Sequence, residues 1–323
     1  MDAQKKTLDR EVKKLKKNRS MMAGIGLLAV MCIGYAGVNG AVSRQESRQA
    51  AEEEAAVIRL TNLNEVTKIS ITSQDGTQNF LKEEGQWKDA DDPDRPLKQS
   101  LVSLLASSGA DLRADRELEG AGDLKNYGLD QPLRQAVFMD SQGNEAAVLI
   151  GNELEDGRYY AKLEDEPQVY TIDSGLVSAM DYSYLEFIQP DTLPQTEEDQ
   201  IQEVTVETGE SRTLYSREED TLTEEMAAAA AGLTLGQCTA WKPDQEELQA
   251  MGFDGSQIRL KYTYTSSEEA EDSGQSSSVS LEIGDLMEGE SSYYVRLEGS
   301  WMINQMSKSA LEVFLNPGET SSR

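Results

Sequence analysis

The sequence predicts an α+β protein: an N-terminal membrane helix and stalk, then two tandem, mostly antiparallel β-sheet modules, each with covering helices. Three observations lead there. Met21–Val42 is an apolar run whose only ionisable side chains are Cys32 and Tyr35. Period-two alternation punctuated by glycine turns fills most of residues 60–316. Finally, the order of motifs before residue 190 returns after residue 200.

As a helix, Met21–Val42 reaches ~33 Å, enough for a hydrocarbon core of ~30 Å. Residues 1–20 form a basic tail with Lys5, Lys6, Arg10, Lys13, Lys14, Lys16, Lys17 and Arg19, whereas the rest is acidic. The chain has 30 Lys+Arg against 59 Asp+Glu; without its first nineteen residues, 8 of them basic and 3 acidic, it has 22 against 56, a net −34. This asymmetry places the N-terminus in the cytoplasm and the body outside, and so cysteine-poor an external body fits the cytoplasmic membrane of a bacterium. Neither a cleavage site nor a lipoprotein cysteine is well placed, so an uncleaved anchor is expected. Gly24, Gly26, Gly34, Gly37 and Gly40 thin the helix, and Gly34 and Gly37 are candidate contacts for a partner helix.

Residues 43–59, rich in Gln, Ala, Glu and Arg, continue as a helical stalk. The first module, 60–190, opens with a β-meander through Val66, Ile69, Ile71, Phe80, Leu81 and Trp87, with turns at Asp75-Gly76 and Gly85. A helix is expected from Pro96, with Leu97, Leu101, Leu104 and Leu105 on its buried face and Asp94 as N-cap. A short strand near Leu112–Ala114 and a helical turn through Leu124 and Tyr127, closed by Gly128, follow. Hairpins 134–140/145–150 and 159–163/169–173 and a helix over 174–180 complete it. Pro190, Pro194 and several acids mark a linker at 191–200, the second module covers 201–316, and 317–323 is a disordered tail.

The repeat is the most specific internal signal. Tyr127-Gly128-Leu129-Asp130 corresponds to Met251-Gly252-Phe253-Asp254, Leu149-Ile150-Gly151 to Glu282-Ile283-Gly284, and Tyr159-Tyr160-Ala161-Lys162-Leu163-Glu164 to Tyr293-Tyr294-Val295-Arg296-Leu297-Glu298. The two intervals differ by a Ser/Glu-rich insertion, 266–278. The second module lacks a Trp87-like strand, and its first helix covers 223–231.

The strand-rich start, the motif L-x-x-Y-G-L-D-x-P from Leu124 to Pro132, the hairpin ending at Gly151 and the paired-tyrosine strand together resemble the bacterial domain-of-unknown-function family numbered 4340. The resemblance runs from about Leu60 to Asn316. It implies an N-terminal anchor and a setting beside an ABC transporter whose partner proteins resemble gliding-motility components. It carries no chemistry to transfer.

Composition argues against most chemistries. Histidine is absent, which removes imidazole bases and every His-containing metal site. The two cysteines cannot form a disulfide framework. Strong acidity excludes nucleic acid as a partner. Gly24-Ile25-Gly26-Leu27-Leu28-Ala29 fits G-x-G-x-x-A but lies inside the apolar run, and no phosphate-binding G-x-x-x-x-G-K-S/T occurs, so neither nucleotide nor other cofactor is expected. Asp89, Asp91, Asp92 and Asp94 form the densest acidic turn, with Pro93 where a calcium loop wants a ligand. Adjacent strand tyrosines face opposite sides. In each pair, Tyr159/Tyr160 and Tyr293/Tyr294, one ring is expected in the core and the other exposed; with Tyr127 these are candidate partner contacts. The expected function is a non-catalytic, membrane-anchored extracytoplasmic accessory subunit of an ABC-type assembly, touching lipid through one span and the transporter's membrane subunits. The alternative is an independent module binding an envelope glycan or peptide, and an envelope hydrolase ranks third.

Overall fold

The computed structural model describes residues 58–255, 258–265, 276–289 and 291–316. The chain divides at Ile58/Arg59, and Arg59–Arg323 is one compact unit. Among the described residues no helix is long and apolar enough to cross a membrane. The basic tail, the expected span with Gly34 and Gly37, nearly all of the expected stalk and residues 317–323 lie outside the described residues.

After β1 (Ile58–Arg59), the first half contains β2 (Val66–Ser73), β3 (Gly76–Glu83), β4 (Gln86–Asp89), helix α1 (Gln99–Ala110), β5 (Arg113–Ala114), β6 (Arg116–Glu117), a 3-10 turn Leu124–Tyr127, β7 (Arg134–Asp140), β8 (Glu145–Glu153), β9 (Tyr159–Leu163), β10 (Tyr170–Ile172) and α2 (Gly175–Met180). The second contains β11 (Ile201–Thr208), β12 (Ser211–Ser216), α3 (Glu224–Ala231), β13 (Cys238–Trp241), α4 (Gln245–Ala250), β14 (Ile258–Thr265), β15 (Ser276–Leu286), β16 (Ser292–Leu297), β17 (Met302–Ser307) and α5 (Lys308–Leu315).

The first sheet runs β4-β3-β2-β7-β8-β9-β10-β6 and the second β12-β11-β14-β15-β16-β17-β13. Without β4 the two orders are the same, strand for strand. All the pairings are antiparallel, as hairpin connections allow. One face of each sheet builds a core under helices. In the first half Ile69 opposes Phe138 and Ile71 opposes Ala136; all four are buried, as are Val102 and Leu105 of α1, the helix that packs on β2 and β7. Gly109 lets α1 lie directly on the Phe138 ring, into which an added Cβ would run. In the second half Val204, Leu260, Tyr262, Leu281 and Val295 pack beneath Met226 and Ala230 of α3 and Leu311 and Phe314 of α5. Burial pushes the Tyr262 phenol up to about 12.

Several expectations are corrected. Helix α1 begins at Gln99, not at Pro96, because Leu97 pairs with Ile188 and the Lys98 amide donates to the Phe187 carbonyl, holding this stretch extended. The buried stripe is therefore Val102, Leu105 and Gly109, and Leu104 is 48% exposed. Ser276–Ser278, read as insertion, belong to strand β15, since each pairs with β14. Within 191–200, the stretch expected as a linker, individual side chains are bonded. The Asp191 carboxylate accepts from Asn304 Nδ2 at 3.1 Å, and Glu197 and Gln200 form a capping box.

The strongest sequence motif proves to be a packing device. Gly128 caps the 3-10 turn in the left-handed region at φ 69°, and Gly252 has φ 85°. In each copy the carbonyl just before that glycine, of Tyr127 or Met251, rests against the second glycine, Gly151 or Gly284, where a Cβ would collide with it. Leu129 and Phe253 press on the same glycines. Both sites lie at bulges, between Ile150 and Glu153 and between Ile283 and Leu286, where one extra residue bends the strand to receive the turn.

Candidate functional site

The tyrosines do not divide into core and exposed rings; Tyr159, Tyr160, Tyr293 and Tyr294 are all half-buried. In each half the second tyrosine of the pair lies on the side of the glycine-capped turn. Tyr160 meets Tyr127 edge-on, ring centres 5.0 Å apart, and Tyr294 joins Phe253, Ala240 and Ile303. Tyr293 packs on the main core of the second half. Burial, then a bond with Glu153, raises the Tyr159 phenol above its ordinary value. Of the candidates, the fold brings only Tyr127 and Tyr160 into ring contact, and they support the sheet.

The distinctive site lies where the halves meet. The turn after β4 begins with Asp89, whose carboxylate forms a buried ion pair with Arg95 and accepts from the backbone amides of Asp91 and Asp92 at 2.7 and 3.0 Å. Arg95 also stacks on the Tyr184 ring, 3.9 Å from its centre. That cradle presents Asp92 to the second half, where its carboxylate accepts from Trp241 Nε1 at 2.7 Å and from Lys242 Nζ at 2.9 and 3.1 Å. The Trp241 bond first, then Lys242, hold the Asp92 carboxyl below its ordinary value. The acidic turn is thus a joint between sheets, and Asp94 does not cap α1, whose N-cap is Lys98 without a side-chain bond. Among the described residues no group of acidic or cysteine side chains could hold a metal ion.

Lys242 closes β13 at φ 49°, a left-handed conformation costly for a side chain with a Cβ. That twist sends its amide to the Trp301 carbonyl at 2.9 Å and its ammonium between two indoles, 5.3 Å from the Trp241 ring centre and 4.9 Å from that of Trp301. The indoles meet edge-on at 6.4 Å. Trp301, in the β16–β17 turn, is 58% exposed. Beside it opens a hollow of about 460 Å³ lined by Lys242, Leu248, Arg296, Ser300, Trp301 and Ile303. Beneath the joint Ile188, Cys238 and Met302 form an apolar plug, and burial pushes the Cys238 thiol up to about 11. Nothing in this lining can act as a base near neutral pH; the site can bind by stacking, apolar contact and charge. Sequence reasoning passed over Trp241, Lys242 and Trp301; the available signal was a tryptophan, Trp301, in a Gly-Ser-Trp hairpin turn where small polar residues are usual.

The chain matches no curated protein and no solved structure. Residues 87–233 match a family model described as a domain of unknown function, DUF4340. The match opens at Trp87 in β4, takes in the Leu124–Pro132 motif, Gly151 and the first tyrosine pair, and ends just beyond α3, before the second copies of those motifs. Over that stretch, which holds the motif that carried the resemblance, the chain is similar to the DUF4340 family.

Proposed function

We propose that the protein is a non-catalytic, membrane-anchored extracytoplasmic accessory subunit of an ABC-type envelope transport assembly. The observation that carries the non-catalytic, partner-binding part is the joint at Asp92. Two sheets of the same strand order are fixed to each other by the Asp92–Trp241 and Asp92–Lys242 bonds, which makes a rigid body that leaves an indole outward. An enzyme cleft would instead need an activated nucleophile, whereas the lining of the hollow offers ammonium, guanidinium, indole and alkyl groups and one hydroxyl, Ser300, with no carboxylate or imidazole among the lining residues to serve as its base. The membrane attachment rests on Met21–Val42, and the transporter on the family resemblance.

Mild detergent extraction should recover the protein with ABC-type membrane subunits, and Gly34→Leu with Gly37→Leu should weaken that recovery by holding the helices apart while the span stays apolar. Ser211→Cys, on an exposed strand, should react with a membrane-impermeant reagent in intact cells, whereas labelling only after lysis would overturn the orientation. Purification alone under mild crosslinking would remove the transporter reading. The second reading, an independent module for a glycan or peptide, is favoured by the hollow beside Trp301.

A further inference from the structure

We infer that a second hollow, in the first half between the β2–β3 hairpin tip, the start of β7 and the stretch after α2, binds a neutral saccharide of one or two rings. This goes beyond the accessory-subunit reading and rests on neither the anchor nor the transporter. The hollow measures about 420 Å³, within the range of small-molecule sites. Of the five large apolar side chains that stand exposed among the described residues, two, Leu133 and Tyr184, line it. Its walls are set before a ligand arrives. The Thr72 and Thr77 hydroxyls share a hydrogen bond at 3.0 Å, and the Asp75 amide donates to Ser73 Oγ at 3.2 Å, which fixes the hairpin tip. Across the hollow the Ser183 amide and hydroxyl both donate to Glu186 at 2.8 Å, and Arg95 lies over the Tyr184 ring.

The lining selects its ligand by elimination and by match. Anions are turned away: Arg134 is the only cation of the lining, Asp181 already accepts from its Nε at 2.9 Å and pairs with its Nη2 at 2.7 Å, and Asp75 adds a second carboxylate. An alkyl chain would strip water from the Gln74 and Gln78 amides, the Tyr182 hydroxyl and both carboxylates and give nothing back. A cation would pair with one carboxylate and leave the amides and the hydroxyl unmatched. A saccharide answers these groups together, since every hydroxyl both donates and accepts. Both Arg134 bonds end on Asp181 Oδ1, so Oδ2 is left to accept from a ligand hydroxyl and Arg134 Nη1 to donate. Gln78 Oε1 is buried without a hydrogen-bond partner among the described residues, and its broad terminal torsion lets the amide turn to meet a donor. The C–H face of a sugar ring then covers Tyr184 and Leu133, the apolar part of the lining.

The test uses the full chain in micelles of a detergent without a sugar headgroup, with glucose, galactose, mannose and N-acetylglucosamine as probes, read by saturation-transfer NMR. At least one should bind saturably, and glucuronic and galacturonic acids should bind more weakly than the sugars that bind. Asp181→Asn and Gln78→Ala should each weaken binding at least ~10-fold, the loss expected for one ligand hydrogen bond, whereas Trp301→Ser, at the other hollow, should leave it unchanged. Failure of all four sugars to bind, equal binding of the uronic acids, no loss on either substitution, an equal loss on Trp301→Ser, or displacement of the sugar by equimolar spermidine would each overturn the assignment, the last in favour of a cation. No transporter is present in this assay, so it can fail while co-purification succeeds, and the reverse.

Discussion

The last hairpin turns of the two halves occupy the same place in the same fold and differ in nearly every property. In the first half, Lys162 is buried and turns its ammonium back to the carbonyls of Leu163 and Glu164, at 2.7 and 2.9 Å, beneath an acidic turn, Glu164-Asp165-Glu166. In the second, the matching Arg296 is partly exposed and faces a hollow capped by Trp301. The halves thus share their sheet and diverge at the rim, as expected when the scaffold is constrained by packing and the loops are free to take on binding. In this molecule the halves agree where they pack and differ where their side chains are exposed.

The comparison can be broken most severely at the cradle that only the first half has. Arg95→Ala should cost about 3–5 kcal/mol, because it leaves the Asp89 carboxylate buried without its partner. Urea unfolding measures this, and a loss under ~1 kcal/mol would show that Asp89 relaxes into solvent.

The likeness itself is tested by Gly151→Ala and Gly284→Ala. A Cβ at either would meet a backbone carbonyl, of Tyr127 or Met251, which cannot swing aside like a side chain. Each should destabilise by about 1–3 kcal/mol or somewhat more, and by similar amounts. If one proves neutral, the two bulges are not equivalent in energy.

A smaller effect is expected where the halves join. Asp92→Ala removes the acceptor of Trp241 and Lys242 and should cost about 1–3 kcal/mol. It should also separate one thermal transition into two by calorimetry. The Asp92 carboxyl titrates lower in the folded protein than its ordinary value, so its contribution is complete above the ordinary carboxylate value and fades as pH falls through the folded one. Wild type should therefore lose this coupling only in that acidic window, and Asp92→Ala should flatten the dependence there.

The sheets were legible because their signals are local. Ile69 and Ile71 alternate with Lys68 and Ser70, and Gly128 and Gly151 recur as Gly252 and Gly284. The start of α1 was misread because Leu97 and Lys98 are held extended by Phe187 and Ile188, about ninety residues away, which no window around Pro96 contains. The site was missed for the same reason. Asp92 and Trp241 are 149 positions apart, and Asp92 looked like one acid among many. The tyrosines drew notice because they repeat, and repetition marked what holds each sheet together.

Cys238 gives the joint a clock. The thiol sits in the plug with Ile188 and Met302, against Trp241, and with burial lifting it to about 11 only ~0.1% is thiolate at pH 8 while the seam is closed. Alkylation therefore waits for the seam to part, so the modification rate reports how often the seam opens. An oxidising medium likewise meets no reactive sulfur at this position while the seam is closed.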